Sequence, residues 1–241
     1  MRRDIQSWWS PRLQKDMEIV AYGHYGFAVL LFPTAGADFL EYERFQLIDA
    51  IAPLIDSGTC KVYSINSINR ESWLNDDMIP RHKAIRHQQY NGYVAEEVAP
   101  FIVNDCQGPV EIITAGASLG ALHALNTIFR RPDLFAGTIA MSGDFDLKSY
   151  TDGYYDDDVY FNSPADYVPE LKDEGILDQL RHKKIIIASG QGNYERPGAA
   201  KHFSWILHTK EIPHELDIWG HDMTHDWPTW RKMLPYFLGK I

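Results

Sequence analysis

Ser118 lies between two glycines in the sequence Gly116-Ala-Ser118-Leu-Gly120, and this G-x-S-x-G spacing is typical of a turn that exposes a reactive serine. A strand can turn that sharply into a helix only where the residues two before and two after the serine lack bulk, which both glycines provide. The apolar, β-branched residues 110–114 precede the motif, and the apolar residues of 119–130 recur at helical spacing. We therefore interpret Ser118 as a nucleophile at a strand-to-helix turn.

A histidine must accept the proton of a serine hydroxyl before the oxygen can attack at neutral pH, and a carboxylate must orient that histidine. In enzymes with a G-x-S-x-G turn both partners follow the serine in the chain. His225 is our choice because it lies in a predicted loop after the last strand, beside the strand ends where Ser118 opens. His221 shares this loop and is the alternative.

The spacing of His221 and His225 is also that of a zinc-binding helix. Gly220 before the pair and Pro228 after it leave barely two helical turns, and the sequence offers no third ligand. We therefore predict neither a metal nor a cofactor.

Glu195 is the candidate for the carboxylate. It is the one acidic residue in the glycine-rich segment 190–197, which leaves the end of the predicted strand 184–188. Asp144 and Asp146 follow an earlier predicted strand and remain alternatives, with Asp146 the stronger of the two.

Two N–H groups must stabilise the oxyanion that forms during acyl transfer. The first prediction is the backbone N–H of Leu119, directly after the serine. The second donor should lie in the small-residue segment 33–38 after the predicted strand 27–32, at Ala35 or Thr34.

The order of elements supports this geometry because apolar runs alternate with helical patterns. Predicted strands cover residues 27–32, 61–65, 110–114, 137–141, 184–188 and 216–219. Predicted helices cover residues 41–55, 81–103, 119–130, 199–209 and 228–238. Such alternation indicates right-handed β-α-β crossovers and a mostly parallel sheet with helices on both faces, an α/β fold.

Three segments depart from this alternation. Residues 143–180 are rich in Tyr, Asp and Pro, and we predict that they form a loop-rich excursion over the active-site edge of the sheet. Residues 18–26 indicate a hairpin at the sheet edge, and residues 8–11 a packing segment.

Composition bounds the remaining possibilities. The 241 residues, 45% of them hydrophobic, predict one domain spanning 1–241. A formal net charge of -10 argues against nucleic acid or an anionic membrane as partner, and no apolar run approaches the ~20 residues that span a bilayer. Cys60 and Cys106 suggest no disulfide framework, and residues 1–20 lack the apolar core of a signal peptide. These features predict a cytoplasmic protein.

The Ser118 motif, the segment 190–197 and the sequence His225-Asp-Trp-Pro-x-Trp230 together resemble the esterase family of α/β hydrolases. That family includes S-formylglutathione hydrolases, feruloyl and enterochelin esterases, and mycobacterial mycolyltransferases. The resemblance extends over about residues 18–238 and implies an α/β-hydrolase fold. It favours His225 over His221, and the mycolyltransferase branch supports Glu195 as the acid and Ala35 as the second oxyanion donor.

Two positions depart from the family pattern. Ala121 stands where members often have a second glycine, and the segment from Pro33 to Gly36 reads Pro-Thr-Ala-Gly rather than a glycine-rich or Asp-Gly form. Neither change removes a group that the chemistry needs.

The sequence therefore predicts a serine carboxylic-ester hydrolase that acts through an acyl-enzyme on a small soluble ester. No amphipathic lid is visible in 143–180, which favours small substrates over long lipids. An acyltransferase with the same residues and a non-catalytic binding protein of the same fold are the alternatives. The sequence leaves open whether the protein forms a homo-oligomer.

Overall fold

One eight-stranded sheet organises the protein in the computed structural model, which describes all of residues 1–241. The strands are β1 (Arg3–Ser10), β2 (Lys15–Tyr22), β3 (Phe27–Phe32), β4 (Cys60–Ile65), β5 (Ile112–Ala117), β6 (Gly137–Met141), β7 (Lys184–Ser189) and β8 (Glu215–Ile218). Their order across the sheet is β1-β2-β4-β3-β5-β6-β7-β8. β1 and β2 run antiparallel to their neighbours, and every pairing from β4 to β8 is parallel.

Helices cover both faces of this sheet. They are α1 (Glu41–Arg44), α2 (Leu47–Asp56), α3 (Pro80–Tyr93), α4 (Ala99–Asp105), α5 (Leu119–Arg130), α6 (Asp157–Tyr160), α7 (Pro164–Tyr167), α8 (Glu174–Arg181), α9 (Pro197–Thr209) and α10 (Trp227–Leu238). One apolar core packs α3, α4, α5, α8 and α9 against the sheet, and a second core packs α1, α2 and α10 against its other face.

The central strands are buried and mostly apolar because both of their faces are covered. In β3, Ala28, Leu30 and Phe32 enter the first core, while Val29 and Leu31 enter the second, as the two-residue period of a strand requires. The predicted α/β fold with a mostly parallel sheet is therefore confirmed.

The prediction is wrong at the N-terminus. Residues 8–11 were predicted as a packing segment, and Trp8 does stack on Phe101, but the sequence did not indicate that residues 8–10 belong to a strand, β1, which pairs with the whole of β2. The hairpin expected within 18–26 is absent, since β2 has β1 and β4 as its partners. Five of the eight β1 residues are exposed, so this strand lacks the apolar pattern that identifies the others.

Two predicted helices are interrupted. Gln46 adopts a left-handed conformation with φ 60° and separates α1 from α2. A π-helical turn at Val94–Val98 joins α3 to α4. The segment 143–180 contains α6, α7 and most of α8. It also contains two 3-10 turns, at Lys148–Tyr150 and Val168–Glu170. None of the helices combines the length and apolarity needed to cross a membrane.

Candidate active site

Ser118 occupies the sharp turn between β5 and α5. Its φ of 56° lies in the region that a non-glycine residue rarely adopts, and such strain is typical of functional positions. A Cβ on Gly116 would lie 2.2 Å from the carbonyl oxygen of Gly120, and one on Gly120 would lie 2.3 Å from that of Phe32. Both glycines are therefore required by close backbone contacts, as the motif predicted.

His225 faces Ser118 from the loop between β8 and α10. Its Nε2 lies 2.9 Å from the Oγ of Ser118. The His225 N–H donates to the carbonyl of Asn193 at 3.0 Å, and the edge of Trp230 packs against the imidazole with ring centroids 5.2 Å apart. These contacts fix the ring at the end of the sheet where the Ser118 turn opens.

His221 lies elsewhere in the same loop. It is exposed, and its Nδ1 lies 3.3 Å from the carbonyl of Gln191 rather than near Ser118. Residues 221–225 form turns instead of a helix, so the two histidines lack the geometry of a zinc-binding helix.

Glu195 lies behind His225 with a side chain that is fully buried. Its Oε2 is 3.9 Å from the Nδ1 of His225, an ion-pair distance that is too long for a direct hydrogen bond. Oε1 accepts from the hydroxyl of Ser142 at 2.6 Å, and Oε2 accepts from that of Ser189 at 2.9 Å. Ser142 in turn accepts from the indole N–H of Trp230 at 3.0 Å.

Two opposing effects set the charge of Glu195. Burial raises its pKa, but the neighbouring His225 and the hydrogen bonds from Ser142 and Ser189 together bring that pKa below its ordinary value. The carboxylate therefore stays ionised beside the imidazole across the neutral range.

Asp144 and Asp146 line the same cavity but have other partners. Asp144 forms an ion pair with Arg196 at 2.9 Å, and Asp146 accepts from the backbone N–H of Lys148 at 2.9 Å. Neither carboxylate is paired with His225, whereas Glu195 is.

The two predicted oxyanion donors lie on neighbouring segments. Leu119 is the first residue of α5, so its N–H has no acceptor within the helix. The N–H of Ala35 donates to no protein acceptor, and Ala35 packs against the cluster that contains Leu119 and Leu122. Thr34, the other option, already donates its N–H to Glu41 at 2.8 Å. The geometry favours Ala35 over Thr34.

A cavity of about 370 Å³ opens over the Ser118 hydroxyl. Its walls come from the Ser118 turn, the segment after β6, the segment 190–197 and the His225 loop. The lining residues are Ser118, Leu119, Leu122, Ser142, Asp144, Asp146, Tyr150, Tyr194, Glu195, Arg196 and His225. The excursion 143–180 thus contributes three side chains to the cavity.

Sequence reasoning missed the residues that support these groups. Ser142 and Ser189 hold Glu195, while Glu41 and Asn69 contact Thr34. Serines at strand ends and a glutamate at the start of a helix are common in any α/β chain, so nothing in their types or spacing distinguishes them. Of the residues that support the site, only Trp230 belongs to a motif that the sequence analysis identified.

Comparisons with known proteins agree with this architecture. Structures similar over nearly the full length of both chains include a ferulic acid esterase (TM-score 0.77, 18% identity, 99% of this chain and 98% of that one). MPT51 of Mycobacterium tuberculosis has a TM-score of 0.74 at 15% identity, covering 100% and 98% of the two chains. An S-formylglutathione hydrolase of Agrobacterium tumefaciens has a TM-score of 0.73 at 13% identity, covering 99% and 93%.

At these identities the likeness shows a shared fold, and no curated protein matches the sequence. The family is shown by the sequence itself. Residues 66–241, which include Ser118, Glu195 and His225, match the family described as Putative esterase. The chain therefore belongs to this esterase family of α/β hydrolases.

Proposed function

We propose that the protein is a serine carboxylic-ester hydrolase in which Ser118, His225 and Glu195 act as nucleophile, general base and orienting acid. The observation that carries this proposal is the 2.9 Å separation between Ser118 Oγ and His225 Nε2, with a buried carboxylate on the far side of the imidazole. That distance allows direct proton transfer from the hydroxyl to the ring.

The reaction proceeds in two acyl-transfer steps. Ser118 Oγ attacks the ester carbonyl carbon while its proton passes to His225 Nε2, and the carbonyl oxygen becomes an anion held by the N–H groups of Leu119 and Ala35. As the bond to the alcohol oxygen breaks, His225 returns the proton to that oxygen and the acyl group stays on Ser118. Water then loses a proton to His225, attacks the acyl carbon, and releases the carboxylic acid as Ser118 regains its proton.

Glu195 supports this cycle through its charge. His225 becomes positively charged twice in each turnover, and an ionised carboxylate 3.9 Å from Nδ1 stabilises that imidazolium. The lowered pKa of Glu195 keeps this negative charge available throughout.

The substrate is a small soluble ester. A cavity of about 370 Å³ lies at the lower end of the range for small-molecule sites, which run from ~300 to ~1,000 Å³. The net charge of -10 disfavours polyanionic partners such as nucleic acid. Membership of the esterase family supports ester chemistry at Ser118, and we take water as the acyl acceptor, with acyl transfer to an alcohol as the alternative.

The first experiment measures hydrolysis of p-nitrophenyl esters with acyl chains of two to twelve carbons. We expect turnover to be greatest for the short chains and Ser118→Ala to lower kcat by at least ~10³-fold. His225→Ala should cause a comparable loss. His221→Ala is the matched control and should stay within about twofold of the parent, since no contact joins His221 to Ser118.

Labelling by a fluorophosphonate separates the remaining outcomes. Residual Ser118→Ala activity within tenfold of the parent would exclude Ser118 as the nucleophile, and a greater loss in His221→Ala would exclude His225. Labelling without ester turnover would indicate an acyl acceptor other than water or a specialised acyl group. Absence of both would favour a non-catalytic binding protein.

A further inference from the structure

The segment 33–38 between β3 and α1, called here the 33–38 loop, is held in place by side chains. Tyr42 Oη donates to the carbonyl of Phe32, which immediately precedes the loop, at 2.7 Å. Within the loop, the carbonyls of Thr34, Gly36 and Ala37 accept from three side chains that follow β4. These donors are Asn69 Nδ2 at 3.4 Å, Arg70 Nε at 2.8 Å and Ser67 Oγ at 2.8 Å. The loop is therefore fixed in a conformation that its own backbone bonding does not specify.

Glu41, the first residue of α1, binds the loop from the other side. Its Oε2 accepts the backbone N–H of Thr34 at 2.8 Å, and its Oε1 accepts the Thr34 hydroxyl at 2.5 Å. The residue is 5% exposed, and no Lys or Arg forms an ion pair with it. A buried carboxylate without a cationic partner destabilises a fold unless its hydrogen bonds compensate.

These contacts determine the direction of one particular N–H group. The Thr34 carbonyl and the Ala35 N–H belong to the same planar peptide unit and point in opposite directions. Glu41 accepts hydrogen bonds from the N–H and the hydroxyl of Thr34, and Asn69 donates to the Thr34 carbonyl. The Ala35 N–H is consequently turned away from Asn69, and it donates to no protein acceptor, as do the N–H groups of Gly36 and Ala37 after it.

The same chain of contacts reaches the helix that follows Ser118. Asn69 Oδ1 accepts at 2.8 Å from Nε2 of His123, a residue of α5, while Asn69 Nδ2 donates to the carbonyl of Thr34. His123 is buried, and burial lowers its pKa to about 4, so the ring stays neutral and this arrangement persists at physiological pH. The loop and α5, which supply the two predicted oxyanion donors, are thereby joined through side chains.

We propose that Glu41 is a positioning residue, which holds Thr34 so that the N–H of Ala35 is aimed at the oxyanion formed on Ser118. This inference rests on the proposed esterase function. Glu41 itself touches neither substrate nor the reacting atoms. Its loss should loosen one donor that acts mainly in the transition state, and so should lower kcat with little effect on KM.

The test compares Glu41→Gln with Glu43→Gln. Glu43 lies two residues away on the same helix but binds Arg3 and Tyr22 and forms no hydrogen bond with the loop. Gln at position 41 retains one acceptor oxygen for the two Thr34 donors. Removing an oxyanion donor outright costs ~10²- to 10³-fold in kcat, so we expect about tenfold from this partial loss. Glu43→Gln should stay within about twofold of the parent.

Thr34 variants supply the conservative rescue. Thr34→Ser keeps both donors to Glu41 and should retain parent activity, whereas Thr34→Val keeps the N–H but loses the hydroxyl and should lose several-fold in kcat. A trifluoromethyl ketone, which forms a tetrahedral adduct with a reactive serine, should bind more weakly in proportion to the loss of kcat/KM across the series.

Fluorophosphonate titration counts the active sites, so that kcat can be expressed per active site. If Glu41 had a purely structural role, its substitution would lower the number of active sites but leave kcat per site unchanged. Unchanged kcat per titrated site in Glu41→Gln, with only a lower melting temperature or active fraction, would overturn the inference. An increase in KM alone would do the same. Absence of turnover and labelling in the parent protein would overturn the proposed function, and this inference with it.

Discussion

Two buried glutamates support different parts of the proposed site, and the pKa shifts of their carboxyl groups differ in direction. Glu195 is surrounded by hydroxyls from the ends of β6 and β7 and by an imidazole, and its pKa lies below the ordinary value. Glu41 receives both of its hydrogen bonds from Thr34, and burial leaves its pKa above the ordinary value. The two carboxyl groups thus differ in how far their partners offset the effect of burial on the pKa.

The difference corresponds to the charges that the proposed reaction develops nearby. An imidazolium forms beside Glu195, where a negative charge lowers the barrier. The proposed oxyanion forms at the N–H groups of Leu119 and Ala35, and Glu41 acts on it only through its hydrogen bonds to Thr34. Glu41 is therefore useful for its geometry, and Glu195 for both its geometry and its charge.

The largest expected effect removes the charge of Glu195. Glu195→Gln should lower kcat by ~10³-fold, because a neutral amide cannot stabilise the imidazolium of His225. Asp146→Asn is the matched control, since Asp146 lines the same cavity without pairing to His225, and it should stay within about threefold of the parent. A greater loss in Asp146→Asn, measured as kcat on the same ester, would transfer the role of acid to Asp146.

A smaller effect is expected from the support of Glu195. Ser142→Ala removes a hydrogen bond to an ionised carboxylate, which contributes about 1.5–3 kcal/mol, and leaves the indole N–H of Trp230 without its acceptor. We expect kcat to fall by about tenfold. Ser189→Ala removes a similar bond but leaves Trp230 satisfied, so its effect should be the smaller of the two. Equal activity of Ser142→Ala and the parent would show that Ser189 alone suffices to hold Glu195.

The smallest effect concerns stability, and its sign separates the two glutamates. The lowered pKa of Glu195 contributes stability above the ordinary carboxyl range, and this contribution is lost as pH falls through the pKa of the folded state. Glu41 behaves in the opposite way. Its raised pKa means that the folded protein gains stability as pH falls through that value.

Melting temperatures of Glu195→Gln and Glu41→Gln, each compared with the parent from pH 8 to pH 4, test this contrast. The deficit of Glu195→Gln should shrink as pH falls, whereas Glu41→Gln should become less favourable relative to the parent. Shifts of a few °C are expected, since ~1 kcal/mol moves the melting temperature of a chain this size by about 2–4 °C. Slopes of the same sign would contradict the comparison.

The sequence was sufficient for features that depend on local order. The strands β3 to β7 are continuous apolar runs, and Ser118, Glu195 and His225 each follow a recognisable strand, so the chain order alone places them at one edge of the sheet. The structure brings these three side chains together. Their catalytic roles remain the prediction that the variants above address.

Features that depend on contacts between distant segments could not be predicted. Asn69 and Thr34 are 35 residues apart, and nothing in either residue indicates that the loops after β4 and β3 contact each other. β1 is mostly exposed and carries no apolar period, so only its pairing with β2 reveals it. The left-handed conformation of Gln46 likewise depends on how α1 and α2 pack, since glutamine has no preference for it.

The strand order has a consequence for how the protein folds. β5, β6, β7 and β8 are consecutive both along the chain and across the sheet, so the groups around Glu195 and His225 meet by closing comparatively short loops. β3, in contrast, lies between β4 and β5 although both follow it in the chain, and its contacts with β5 close a loop of about 80 residues. Because contacts of long sequence separation slow folding, we expect β5, β6, β7 and β8 to pair with one another before β3 pairs with β5.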